Sequence, residues 1–202
     1  MEKKLTRTQK LTRTAIFAGI TLLLALTPLG YIPVYILIPL LPLTITIMVL
    51  PVALGGLAVG WPTGLALGLI FGISSFFRAP TEPLGMILLA QSPLASFITC
   101  VVPRALVGLL ADFAGAIIRK NHRFRNIFFY GLTGFAASMC NTVLFLGAIW
   151  LLFDTAATGF TLPIIGAVVA FNGVIEAVAN AIFTAVLGRV ILRKASVEAP
   201  QE

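Results

Sequence analysis

Apolar residues run through this chain in long blocks, broken by short polar or basic stretches. Six blocks are read as membrane-crossing helices: about Thr14 to Pro28, Leu43 to Gly60, Thr63 to Phe77, Pro93 to Ile118, Asn126 to Phe153 and Leu162 to Leu192. A perpendicular crossing takes about 20 residues. Shorter spans need a thinned bilayer or shielding neighbours, and longer ones tilt. The segment Pro28–Pro42 is also apolar but holds four prolines. Proline removes a backbone donor and disfavours helix before it. The segment is therefore expected to be irregular, either an ordered or re-entrant cap over a binding site or an interfacial loop with no gating role. At membrane depth such backbone persists only where protein or a wet cavity satisfies it.

Composition turns this pattern into a fold class. Of 202 residues, 59% are hydrophobic and 10% charged, against roughly a quarter charged in soluble domains. The chain is expected to be an all-α integral membrane protein, a bundle of six transmembrane helices with a proline-rich extracellular loop between the first two. Residues 1–13 form a basic cytoplasmic N-terminus, 14–192 the membrane domain, and 193–202 a cytoplasmic tail, disordered from Ala195 onward. No small-x-small cleavage pattern precedes Tyr31, so the first apolar run is read as a retained helix rather than a signal peptide.

The net charge of +7 follows the same topology. Lys3, Lys4, Arg7, Lys10 and Arg13 precede the first span; Arg119, Lys120, Arg123 and Arg125 link the fourth and fifth; Arg189, Arg193 and Lys194 end the sixth. With six spans all three clusters fall on the cytoplasmic side, as the positive-inside rule requires. The charge thus needs no nucleic acid partner. His122 sits in a basic loop without a metal-binding companion, and Cys100 and Cys140 read as small apolar fillers. No HExxH, GxSxG or Walker A motif is present.

Polar residues inside the spans carry the candidate chemistry. Asn172, Glu176 and Asn180 share one face of the sixth span. Ser138, Asn141 and Thr142 lie at mid-depth in the fifth, and Arg104 and Asp112 in the fourth. Arg78, Thr81, Glu82, Gln91 and Ser92 occupy the loop before the fourth, and Thr44 and Thr46 open the second. Such groups face inward because lipid exposure costs several kcal/mol. Each has a purely structural alternative. Arg104 and Glu176 can neutralise each other, the asparagines can bond helix to helix, and Asp112 can pair locally with Arg119. Their convergence at similar depth instead suits a small polar ligand. In the first span, Ala15 and Gly19 form a small-xxx-small pair that permits close helix approach. Gly55, Gly56, Gly60, Gly64, Gly68 and Gly72 extend the theme, either for packing within the bundle or as a smooth face toward a partner.

The chain resembles the substrate-binding S components of energy-coupling factor (ECF) vitamin transporters. The resemblance rests on its size, its span count, the small-residue first helix (Ala15-Ile16-Phe17-Ala18-Gly19) and the glycine-punctuated stretch Thr46–Phe77. Ser92-Pro93-Leu94, Val102-Pro103-Arg104-Ala105-Leu106-Val107-Gly108 and Cys140-Asn141-Thr142-Val143-Leu144 are most similar to the pantothenate-type branch. The resemblance implies a non-enzymatic subunit in a prokaryotic plasma membrane. It would capture a vitamin outside and pair with a transmembrane coupling subunit and two ATPase subunits. ATP would be used by those subunits and no cofactor held by this chain. It also implies that Ala15 and Gly19 lie on the docking surface. For pantothenate, Arg104 or Arg78 suits the carboxylate, and Asn141, Asn172 and Gln91 suit the amide and hydroxyls. Glu176 and Thr44 complete the candidate set. The alternatives are a flat aromatic vitamin such as folate or riboflavin, a non-transporting scaffold such as a cell-shape protein, or an intramembrane enzyme with Glu176 as its base.

Overall fold

The computed structural model describes residues 6–33, 44–121, 124, 126–154, 158–159 and 161–197. Helix α1 spans Arg7–Leu26, opened by a capping box in which Thr6 and Gln9 exchange bonds. A short antiparallel pair follows, β1 (Tyr31–Pro33) with β2 (Thr44–Thr46), in the register Tyr31 to Thr46. Then come α2 (Val49–Ala58), α3 (Thr63–Arg78), α4 (Pro83–Gln91), α5 (Pro93–Lys120) and α6 (Ile127–Leu152). The last helix is α7 (Leu162–Val168), continued through a π-helical turn at Val169–Gly173 into α8 (Val174–Val197).

Among the described residues, five helices are long and apolar enough to cross a membrane: α1, α3, α5, α6 and the α7–α8 rod. The expected second span is different. Its regular part is the ten-residue α2, about 15 Å long at 1.5 Å per residue, with strand and turn taking up the residues before it. Nine of its ten residues are buried. A helix ringed by protein does not need to match the bilayer in length. Three boundaries also differ from expectation. The helix α1 already begins at Arg7, so Arg7, Lys10 and Arg13 are helical rather than a preceding tail. The helix α8 runs to Val197, past the expected start of the tail. The stretch expected as a loop before the fourth span holds α4. The body of the proline-rich segment, residues 34–43, lies outside the described residues, as do His122, Arg123 and Arg125.

The glycines of α2 and α3 resolve toward packing inside the bundle. A Cβ on Gly64 would meet the Gly108 carbonyl, one on Gly68 the Arg104 carbonyl, and one on Gly72 the Val101 backbone. The Gly56 position is closed by Ala111 in the same way. Together these draw α2 and α3 onto α5 at backbone contact distance, as small-residue seams do in lipid. The helix α5 also closes the turn between α2 and α3, which contains the cis bond Trp61–Pro62. Asp112 accepts hydrogen bonds from the Gly64 and Leu65 amides at 2.9 and 3.1 Å, where α3 lacks a side-chain cap of its own. Arg119 donates to the Gly56 and Leu57 carbonyls at the other helix end. An anion thus meets a helix N-terminus and a cation a C-terminus, the favourable sense for both dipoles. Gly60 joins the two helices at φ 83°, a left-handed conformation suited to glycine.

One end of the bundle gathers the N-terminus of α1, the α2–α3 turn and the end of α5. Thr14 bonds Thr63 at 2.7 Å, and Arg119 reaches Leu57. The start of α6 joins the same end, with Tyr130 against Gly188 of α8. The site described next lies toward the opposite end.

Candidate functional site

A cavity of about 140 Å³ opens between the C-terminal part of α3, α4, α5, α6 and the α7–α8 rod, with the β1–β2 pair at its edge. Arg104, Asn141, Asn172 and Glu176 all line it.

Arg104 is held in place by a proline. Pro103 lies inside α5 and has no N–H to give the Thr99 carbonyl four residues earlier. The Arg104 guanidinium donates to that carbonyl instead, at 3.1 Å. It also stacks on Phe145 at 4.3 Å and on Phe71 at 5.4 Å from the ring centroids, a geometry that favours a desolvated cation. The residue is only 6% exposed, yet its Nε has no hydrogen-bond partner.

Glu176 is 3% exposed. Arg104 and Glu176 form no direct ion pair among the described residues, but each lies within the other's electrostatic reach. Glu176 Oε1 and Asn141 Oδ1 are likewise buried without partners. Natural proteins leave few buried polar atoms unpaired, and each costs about 1–3 kcal/mol. The three residues that carry these atoms line one cavity. One step along α8, Asn180 donates to Ser138 at 3.2 Å, so that asparagine bonds helix to helix.

The other candidates sit elsewhere. Arg78 pairs with Glu82 at 3.4 Å and lies over the Tyr31 ring at 4.5 Å; it borders the cavity without lining it. The Gln91 side chain accepts from the Asp154 amide at 3.1 Å, tying the end of α4 to the loop after α6. The backbone of Thr44 pairs with Pro33, and its neighbour Thr46 lines the cavity. Ala15 and Gly19 are exposed on α1, and a Cβ on Gly19 would meet nothing within 4 Å.

Three lining groups are absent from the sequence reading, Tyr31, Ser75 and Ser96, and Cys100, expected as an apolar filler, also faces the cavity. Tyr31 bonds Ser75 at 3.2 Å and so anchors the β1–β2 pair to α3. A tyrosine in a proline-rich loop and single serines in apolar helices carry no periodic signal, and only the fold brings them together. The helix α4, through Leu84, Gly85 and Leu88, was equally hidden in what read as a loop.

The fold and cavity define a multi-pass membrane protein with a partly polar cavity among its helices. The family of the ECF transporter substrate-specific component matches residues 9–191, and the chain belongs to that family. It is 32% identical over 153 residues to the pantothenic acid transporter PanT of Lactococcus lactis subsp. cremoris, covering 71% of this chain and 75% of that one. It is also 32% identical over 203 residues to the pantothenate transporter PanT of Leuconostoc mesenteroides subsp. mesenteroides, covering 92% and 93%.

Proposed function

We propose that this S component captures pantothenate and hands it inward when coupled to an ATP-hydrolysing module. The observation that carries the reading is the buried, incompletely bonded Arg104 in a cavity rich in hydroxyl and amide groups. Guanidinium binds carboxylate through charge-assisted, often bidentate bonds. Arg104 takes the ligand carboxylate, while Asn141, Asn172 and Glu176 serve the amide and hydroxyls. The names of the two relatives support the same ligand. A flat aromatic vitamin is disfavoured by the lining, whose aromatic members are Tyr31 and Phe145. Trp61 and Trp150 are both exposed. A scaffold would have no use for unpaired buried polar atoms.

In this reading α2, with the backbone before it, completes a sixth crossing within the protein interior. The basic residues Arg7, Lys10, Arg13, Arg119, Lys120 and Arg189 mark the cytoplasmic end, so both termini are cytoplasmic and the cavity opens outward across a prokaryotic plasma membrane. A transmembrane coupling subunit and two ATPases complete the transporter; this chain performs no chemistry itself. The test is thermal unfolding of the detergent-purified chain with each B vitamin. At 100-fold its dissociation constant, pantothenate is expected to add about 2.7 kcal/mol of stability. Arg104→Met should lose that shift. A shift with riboflavin or folate but not pantothenate would sink the assignment.

A further inference from the structure

We propose that the π-helical turn Val169–Gly173 is the element that positions Asn172 for the ligand, by adding one residue between two helix halves already fixed by their own packing. The inference rests on the pantothenate reading above. Before the turn, Val168 of α7 is buried in one cluster with Leu88, Leu146 and Ile149. After it, Ala177 of α8 is fully buried, Asn180 donates to Ser138 at 3.2 Å, and Gly188 lies against Tyr130. These contacts set how each half faces α6. Between them the Val174 amide bonds the Val169 carbonyl five residues back, where an α-helix bonds four back.

The extra residue changes which side chains meet the cavity. Val168, Asn172 and Glu176 all line it, at intervals of four. In an uninterrupted α-helix eight residues make about 2.2 turns, so the outer two would point about 80° apart. The wider turn takes up that drift and brings all three onto one line. With one residue fewer, Val168 and Glu176 would still lie within about 20° of each other, and Asn172 would turn aside. The flanking packing is thus compatible with a plain α-helix, and the insertion serves the polar side chain within it. The surplus is taken up toward lipid, where Ala170 and Phe171 are exposed. On the inner side Gly173 seats the turn against Thr142, another lining residue, since a Cβ there would lie 3.1 Å from the Thr142 methyl. Short π segments within α-helices are rare and concentrate at functional sites.

The experiment is calorimetric titration of the full detergent-purified chain with pantothenate. It compares the wild type, a variant lacking Ala170, Asn172→Ala, and the two changes combined. Deleting Ala170 closes the turn to an α-helix. The deletion should leave the melting temperature of the unliganded protein unchanged or higher, and weaken pantothenate roughly 10-fold, about the worth of one hydrogen bond. Asn172→Ala should cost a similar factor, and the combination no more than either change alone. Independent effects would instead multiply to about 100-fold. Unchanged affinity in the deletion variant, a loss that comes with a fall in melting temperature, or losses that multiply would each overturn the proposal while leaving pantothenate as ligand. Hydrogen exchange of the wild type supplies a test that needs no variant. Saturating pantothenate should slow the amides of residues 169–174 roughly 10-fold, and an unchanged rate there would overturn the proposal equally. Failure of pantothenate to bind the wild type would overturn the underlying reading.

Discussion

Pro103 and Arg104 act as a unit at the residue scale. A proline inside a helix costs a hydrogen bond and leaves a carbonyl free; here that carbonyl, on Thr99, fixes the guanidinium that faces the cavity. Pro103→Ala gives the carbonyl back its helical donor and removes the fixed partner of Arg104. Pantothenate affinity is expected to fall roughly 10-fold, about the worth of one hydrogen bond to a charged group, while circular dichroism shows helicity kept or raised. Unchanged affinity by titration would show that Arg104 is held by its aromatic neighbours alone. The adjacent pair was visible in the sequence, but its consequence was not, because the acceptor lies a helical turn earlier.

Glycine separates close packing from open surface at the element scale. The α3–α5 seam has no room for a methyl group at Gly68, whose Cβ would press on the Arg104 carbonyl. Gly68→Ala is expected to destabilise the protein by about 1–3 kcal/mol, the usual cost of overpacking, and to weaken ligand binding by displacing α5. Gly147→Ala, where a Cβ meets nothing within 4 Å, should leave stability unchanged or raise it by up to about 1 kcal/mol. Thermal melting of the two variants in one detergent decides between these outcomes. Glycines 64, 68 and 72 repeat every four residues and so mark one helix face from sequence alone. Which surface that face meets was undetermined until α5 was seen against it.

At the scale of the whole molecule, α1 is the least embedded of the long helices. Only Phe17, Thr21 and Ala25 are buried along it, while Ile16, Ile20, Leu23 and Leu26 are exposed. Ala15 and Gly19 lie on this outward surface and do not line the cavity. If the surface meets the coupling subunit, Gly19→Trp should bind pantothenate with wild-type affinity and abolish ATP-dependent uptake in cells that express the module. Normal uptake would remove Gly19 from the docking surface. Gly56, Gly64, Gly68 and Gly72 have no share in this role, since α5 covers them.

The sequence alone determined the membrane class, the approximate limits of five long helices and the inward polar set Arg104, Asn141, Asn172 and Glu176. Hydropathy and helical periodicity are local properties, and lipid makes an outward charge too costly to be ambiguous. Only the tertiary structure decided the rest. It made α2 a short interior helix, turned Asp112 and Arg119 into caps for neighbouring helices, and left Arg104 and Glu176 each with an unpaired polar atom. Each of those outcomes depends on groups many residues apart meeting across a helix seam, and no pattern along a single stretch of chain encodes which partner arrives.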